Sequence, residues 1–272
     1  MAKSPMIDPL QRLQKTRCFL LDMDGTFYLG RQLLPGALDF LRLLERTQVD
    51  FLFLTNNSSR SKIEYAQKLA ELGSPVPPDK IFTSGEATAI YLNQRKPGAR
   101  IYLVGTPALE AEFQRSGFTL TGDRPDYAVL GFDTTLTYAK ISHLCDLLVA
   151  GVPFIATHPD VNCHTETGFI PDIGAMIEMI AASPGRRPDV VIGKPNQPIV
   201  DAVARKLALE PGQICMVGDR LYTDIALGKA GVLTVLVLSG ETRREDLASS
   251  PFQPDLIMAD LAELTALLQS AG

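Results

Sequence analysis

Asp22 and Asp24 stand one residue apart in the stretch 18–30, CFLLDMDGTFYLG, directly after an apolar run and directly before Gly25 and Thr26. Two carboxylates held that close repel one another and raise each other's proton affinity unless a cation neutralises them. The pair therefore calls for a metal ion. Three further polar stations occur along the chain, each directly after an apolar run. TNNSS (residues 55–59) follows residues 51–54; GKP (193–195) follows 190–192; GDRLYTD (218–224) follows 214–217. Together the four stations offer a nucleophile, a proton donor, hydroxyl and amide donors, a cation and further carboxylates.

The elements that must position these groups are legible as a rhythm. Short apolar runs at residues 18–21, 51–54, 101–104, 127–130, 153–156, 190–192, 214–217 and 233–237 alternate with amphipathic segments. Among the latter are residues 37–44 and 61–72, the second opening on Ser61 and Glu64, the pattern of a capping box. Such alternation predicts βαβ units and an α/β fold with parallel sheets. In an open parallel sheet ligands bind beyond the carboxyl ends of the strands, so the four stations can serve one chemistry. Two segments rich in Pro, Gly and Arg, residues 93–100 and 183–189, read as loops at joints. They predict a discontinuous core, residues 1–83 and 185–272, interrupted by an inserted α/β unit at residues 84–184.

Composition closes off other classes. The 272 residues are 46% hydrophobic and 21% charged, ordinary values for a globular protein with ample core. A net charge of −5 without long runs of one sign argues against nucleic acid as partner. The amino terminus, MAKSPMIDPLQRLQK, lacks the apolar stretch of a signal peptide or anchor, and no run approaches the roughly 20 residues of a membrane span. A cytoplasmic protein is expected. Cys18, Cys145, Cys163 and Cys215 are scattered and read as reduced thiols. His143 and Cys145, two apart in a predicted helix, point to different faces, so the histidines and cysteines between 143 and 164 do not read as a zinc site. An EF-hand from Asp22 would need Gly at 27 and Glu at 33, where Phe27 and Leu33 stand. A P-loop ending at Lys194 would need Gly at 188 and Ser or Thr at 195, where prolines stand.

DMDGTFYLG, LTNNSSR, GKPN and VGDRLYTDI, in that order, resemble the four motifs of the haloacid dehalogenase superfamily. Within it the chain is similar to the p-nitrophenylphosphatase-like branch that includes N-acetylglucosamine-phosphate and pyridoxal-phosphate phosphatases. IATHPD (155–160) resembles a segment of that branch's large α/β cap. The resemblance covers nearly the whole chain. It implies a Rossmann-like, doubly wound parallel core with the inserted unit as cap, and a hydrolase that releases phosphate from a small phosphorylated metabolite. It further implies Asp22 as nucleophile, forming an aspartyl-phosphate, and Asp24 as acid and base. Mg²⁺ would be held by Asp22, the Asp24 backbone carbonyl and Asp219, with Asp224 fixing a water behind them. Thr55, the Asn56 N–H and Lys194 would hold the phosphoryl oxygens, and His158 and Asp160 would face the substrate from the cap. A monomer or a cap-mediated homodimer is allowed.

Asp24 separates the alternatives. ATPase-type relatives carry Thr there, so Asp24 favours a phosphatase or a sugar phosphomutase, and a mutase would be expected to carry a small helical cap near residues 30–60. A non-catalytic phospho-ligand sensor on the same fold would be marked by loss of Asp22 or Asp24, and both are present. No single residue names the physiological substrate.

Overall fold

The computed structural model describes residues 8–165 and 168–271; the side chains of His164, Thr165 and Ala271 also lie outside the description, as do the first seven residues of the amino-terminal segment. The chain forms two compact units, residues 1–54, 68–81 and 203–272, and residues 55–67 and 82–202. Residues 84–184 lie within the second.

The first unit is built on a six-stranded sheet in the order Leu256–Met258, Leu233–Val237, Ile214–Gly218, Cys18–Leu21, Asp50–Thr55, Ile81–Thr83, whose last two strands carry the chain into the second unit. The pairings from Leu256–Met258 through Asp50–Thr55 are parallel. Cys18–Leu21 is central and buried along its whole length, as its apolar composition on both faces requires. Phe19 meets Phe40 of helix Ala37–Thr47 edge-on, ring centroids 5.3 Å apart, and Phe27 meets Phe53 at 4.8 Å. Burying each such side chain contributes about 1.5–3 kcal/mol, which anchors the strand ends that carry the acids.

The second unit has its own five-stranded sheet, in the order Val190–Val191, Phe154–Ala156, Tyr127–Leu130, Arg100–Val104, Thr119–Leu120, every pairing parallel. Helices Tyr138–Val149 and Ile173–Ala182 bury Leu144, Leu148, Ile173, Ile177 and Ile180 against Leu130, Phe132, Phe154 and Ala156. A short antiparallel hairpin, Asn162–Thr165 with Gly168–Pro171, precedes Ile173–Ala182. Helix Lys62–Glu71 opens on the expected capping box: Ser61 N–H donates to Glu64 at 2.7 Å, and Glu64 N–H to the Ser61 hydroxyl at 3.3 Å. The fold is thus α/β with two parallel sheets. All four cysteines are free thiols, and among the described residues no helix is long and apolar enough to cross a membrane.

Candidate active site

In the first unit, Asp22 follows strand Cys18–Leu21 and Asp219 follows its neighbour Ile214–Gly218. The register pairs Leu21 with Val217, so both acids leave the sheet at the same edge. After Asp22 the backbone folds back at once: the Met23 carbonyl accepts from the N–H groups of Phe27 and Tyr28, and Gly25 N–H donates to the Tyr28 carbonyl at 2.8 Å. Gly25 takes φ +86°, and a Cβ there would come within 2.3 Å of Asp219 Oδ2. Only glycine meets both demands.

Asp219 is buried; its Oδ1 accepts from the Thr26 hydroxyl at 3.3 Å and its Oδ2 from Glu241 N–H at 2.7 Å. Asp224, fully buried, accepts from Arg220 N–H at 3.2 Å. A Cβ on Gly218 would lie 2.3 Å from the Asp224 carboxyl, and one on Gly240 2.0 Å from Asp219 Oδ2. The backbone has therefore been stripped of side chains to make room for carboxylates. Asp22, Asp219 and Asp224 each offer an oxygen, all within 4.8 Å of one another. Asp24 is exposed and is not a member of that group; the metal contact expected of it runs through its backbone carbonyl.

The charges at this edge do not balance. Burial, then the negative charges of Asp22 and Asp224, push the Asp219 carboxyl up to about 7, although the Glu241 N–H and Arg220 pull the other way. Burial works against the Arg220 guanidinium, but Asp22, Tyr222, Asp219 and Glu241 outweigh it and raise its pKa. Arg220 Nε lies 3.0 Å from Glu241 Oε2, which engages part of its charge. An all-oxygen, electron-rich group walled by glycines fits a hard divalent cation such as Mg²⁺. Asp22, Asp219 and Asp224 are the residues whose oxygens could hold it.

In the second unit the polar stations are cross-linked around Asn56. Its Nδ2 donates to the Lys194 carbonyl at 2.9 Å and to Asp160 Oδ1 at 2.9 Å, while its Oδ1 accepts from Lys194 N–H at 2.8 Å. The amide orientation is fixed, since the Lys194 peptide needs one donor and one acceptor. Asn56 and Lys194 are both buried. Thr55 Oγ1 accepts from Asn57 N–H at 3.1 Å, which closes the turn that carries Asn56. Gly193 N–H donates to the Thr157 carbonyl at 2.8 Å, and a Cβ on Gly193 would strike Asn56 Oδ1, His158 Cβ and the Thr157 carbonyl, all within 2.9 Å.

His158 is fully buried. Its Nε2 lies 2.9 Å from Asp172 Oδ1, and its Nδ1 lies 3.2 Å from Thr157 Oγ1 and 3.3 Å from Ser84 Oγ. A carboxylate can only accept, so Asp172 places the hydrogen on Nε2. Expected to face the substrate, this ring has both nitrogens engaged inside its own unit. Ligand atoms of His158, Asp160 and Asp172 also lie within 4.8 Å of one another; Asp160 Oδ1 accepts from Asn56, Asp172 Oδ1 from Ile173 N–H and His158 Nε2, and His158 Nδ1 faces the Thr157 hydroxyl.

Sequence reasoning brought out the members of both groups and missed their supports. Ser239, Gly240 and Glu241 follow strand Leu233–Val237 as the other stations follow theirs, and Ser239 Oγ donates to the Gly25 carbonyl at 2.9 Å. The same signal would have found them. Asp172 stands immediately before an apolar helical run, the mark of an N-cap, and its Oδ1 does accept from Ile173 N–H at 2.6 Å.

Comparison with known proteins shows the family to which the chain belongs. The haloacid dehalogenase-like hydrolase family model matches residues 19–119, and a HAD-hydrolase-like model matches residues 191–264. The 5′-nucleotidase YutF of Bacillus subtilis is 35% identical over 246 residues, covering 90% of this chain and 96% of that protein. The crystal structure of the 4-nitrophenylphosphatase of Thermotoga maritima has a TM-score of 0.90 at 46% identity, covering 94% of this chain and 98% of that one. The glycerol phosphate phosphatase of Mycobacterium tuberculosis, crystallised in complex with magnesium, has a TM-score of 0.83 at 32% identity, covering 95% and 78%. The chain belongs to the haloacid dehalogenase-like hydrolase family.

Proposed function

We propose that the protein is a Mg²⁺-dependent phosphomonoesterase that acts on a small phosphorylated metabolite through an aspartyl-phosphate on Asp22. The observation that carries this reading is the Asp22, Asp219 and Asp224 group, three oxygen donors within 4.8 Å, together with the exposed Asp24 two residues beyond the nucleophile. Hydrolysis of a phosphate monoester requires barrier reductions of more than about 20 kcal/mol, whereas one well-placed donor supplies about 3–4. Several groups must therefore act together.

An Asp22 carboxylate oxygen attacks phosphorus; the bond to the ester oxygen breaks and its electron pair leaves with that oxygen, which takes a proton from Asp24. Water then attacks the phosphorus of the aspartyl-phosphate. Asp24 takes the proton, the bond to Asp22 breaks, and the carboxylate is restored. Bound magnesium would supply positive charge against the crowded carboxylates and the phosphoryl oxygens. Thr55 through its hydroxyl, Asn56 through its N–H and Lys194 through its ammonium hold those oxygens. Residues 84–184 serve as the cap that selects the substrate, and His158 and Asp160 bear on selection through the loop that carries them. The similarity to a 5′-nucleotidase, a 4-nitrophenylphosphatase and a glycerol phosphate phosphatase supports the reaction class.

The test is phosphate release by purified protein from p-nitrophenyl phosphate and a panel of phosphorylated metabolites, with Mg²⁺ and after exhaustive chelation. Release that depends on added Mg²⁺ is expected. Release that survives chelation refutes the proposal.

A further inference from the structure

Asp160 meets the phosphate-binding stations at Asn56. Its Oδ1 accepts from Asn56 Nδ2, and the same amide brackets the Lys194 peptide from both sides. We infer that Asp160 is a positioning residue: it locks the Asn56 side chain, which in turn sets the backbone of Lys194 and so the origin of its ammonium-bearing side chain. The inference rests on the phosphatase reading for its kinetic consequence and deepens that reading by giving Asp160 a task other than substrate contact.

The loop that carries Asp160 is itself held on two sides. Gly174 N–H donates to the Asp160 carbonyl at 2.7 Å, and Asp172 N–H to the Val161 carbonyl at 2.9 Å, so the start of helix Ile173–Ala182 grips the loop by its backbone. Asp172 adds a side-chain grip on His158 two residues upstream of Asp160. From the other side Ser84, buried, donates its hydroxyl to the Asn56 carbonyl. The acceptor on Asp160 and the amide on Asn56 are thus presented from backbone already fixed, and their 2.9 Å bond loses little further freedom on forming. An amide without that acceptor keeps two of its three bonds and gains a torsional freedom that passes directly to the Lys194 peptide.

What Asn56 requires of residue 160 is an acceptor oxygen, not a charge. A residue that touched a cationic or hydroxylated part of a substrate would depend on the carboxylate itself. Asp160→Asn keeps a side-chain oxygen at the same reach, and Asp160→Ala removes it. Each is compared with wild type in three measurements: thermal unfolding, kcat and KM for p-nitrophenyl phosphate with Mg²⁺, and the rate at which Lys194 is acylated by an amine-reactive ester, read by peptide mass spectrometry. Lys194 is 3% exposed, so wild-type labelling is slow. Outer positioning groups of this kind are worth about ten- to a hundredfold. Asp160→Ala is expected to lower kcat by about that factor, to move KM by less than about threefold, and to speed Lys194 labelling by about tenfold, on the same scale. Asp160→Asn is expected to restore kcat and labelling to within about threefold of wild type.

An Asp160→Asn variant as impaired as Asp160→Ala would overturn the inference in favour of direct contact by the carboxylate. An Asp160→Ala variant with wild-type kcat and labelling would overturn it outright. If the wild-type protein releases no phosphate, the phosphatase reading fails alone, and the labelling of Lys194 in the two variants still decides whether Asp160 positions it.

Discussion

Gly25 is the space in which Asp219 sits: a single added methyl at Gly25 would fall 2.3 Å from Asp219 Oδ2, itself held by Glu241 N–H at 2.7 Å. Gly25→Ala meets two penalties, the left-handed backbone at φ +86° and the collision with a buried carboxylate that has nowhere to move. The variant is expected to lose about 1–3 kcal/mol of stability in urea unfolding and to bind Mg²⁺ more weakly in calorimetry. Wild-type values in both would show that the acidic edge is more pliable than its geometry implies.

Asp22→Asn keeps the shape of the nucleophile and removes its negative charge. Asp219 is raised partly by the Asp22 charge, so the metal-free variant is expected to be at least as stable as wild type. Its kcat is expected to fall by about 10⁴-fold or more, as for other lost nucleophiles. Residual turnover above about one per cent, well beyond what surrounding groups supply without a nucleophile, would assign the attack to another residue.

Metal and pH act on stability together. The Asp219 carboxyl, raised to about 7 by burial and by Asp22 and Asp224, titrates near 3.9 in the unfolded chain. Between those values the folded chain binds the proton more tightly, so metal-free stability falls as pH rises through that window and stays low above it. A bound divalent cation offsets the repulsion only where the carboxylates are ionised. Added Mg²⁺ is therefore expected to raise the Tm more at pH 8 than at pH 5. Equal shifts at both pH values would contradict the assignment of the cation to this group.

His158→Asn tests a residue whose surroundings differ from the expectation drawn from sequence. The ring is fully buried between Asp172 on one nitrogen and Thr157 and Ser84 on the other. The shorter Asn side chain cannot span from Ser84 to Asp172, and leaves a buried carboxylate short of one donor. A loss of about 1–3 kcal/mol in stability is expected, with similar proportional losses of kcat/KM on every substrate. An unequal profile across substrates would instead place the ring against the leaving group.

The strands that carry the acids were legible because each is an apolar run of strand length ended by an abrupt change to polar residues. Cys18–Leu21, Tyr127–Leu130 and Leu233–Val237 match their predicted bounds. Ile81–Thr83 and Leu256–Met258 escaped notice, whereas Phe154–Ala156, equally short, stood out because Pro153 and the loop residues before it set its apolar run apart. The acidic group was legible because like charges at a strand end demand explanation. The pairing of His158 with Asp172, and of Asp160 with Asn56, was not: these are contacts over 14 and 104 residues of chain, and no local spacing encodes them. The bidentate hold of Asn56 on Lys194 spans 138 residues and is likewise a product of tertiary structure alone.

The central strand of the first unit has a consequence for the chain as it leaves the ribosome. One of the two neighbours of Cys18–Leu21, Ile214–Gly218, is synthesised nearly two hundred residues after it, as the separation of 193 between Thr26 and its partner Asp219 records. The sheet cannot close around its middle until Ile214–Gly218 has been made, whereas the five strands of the other sheet all lie between residues 100 and 191 and can pair beforehand. A nascent chain halted at residue 205 would hold Asp22 and Asp24 but neither Asp219 nor Asp224. Translation order thus keeps the acidic edge unassembled, and the Asp22 carboxylate apart from Asp219 and Asp224, until residues 214–224 have been made.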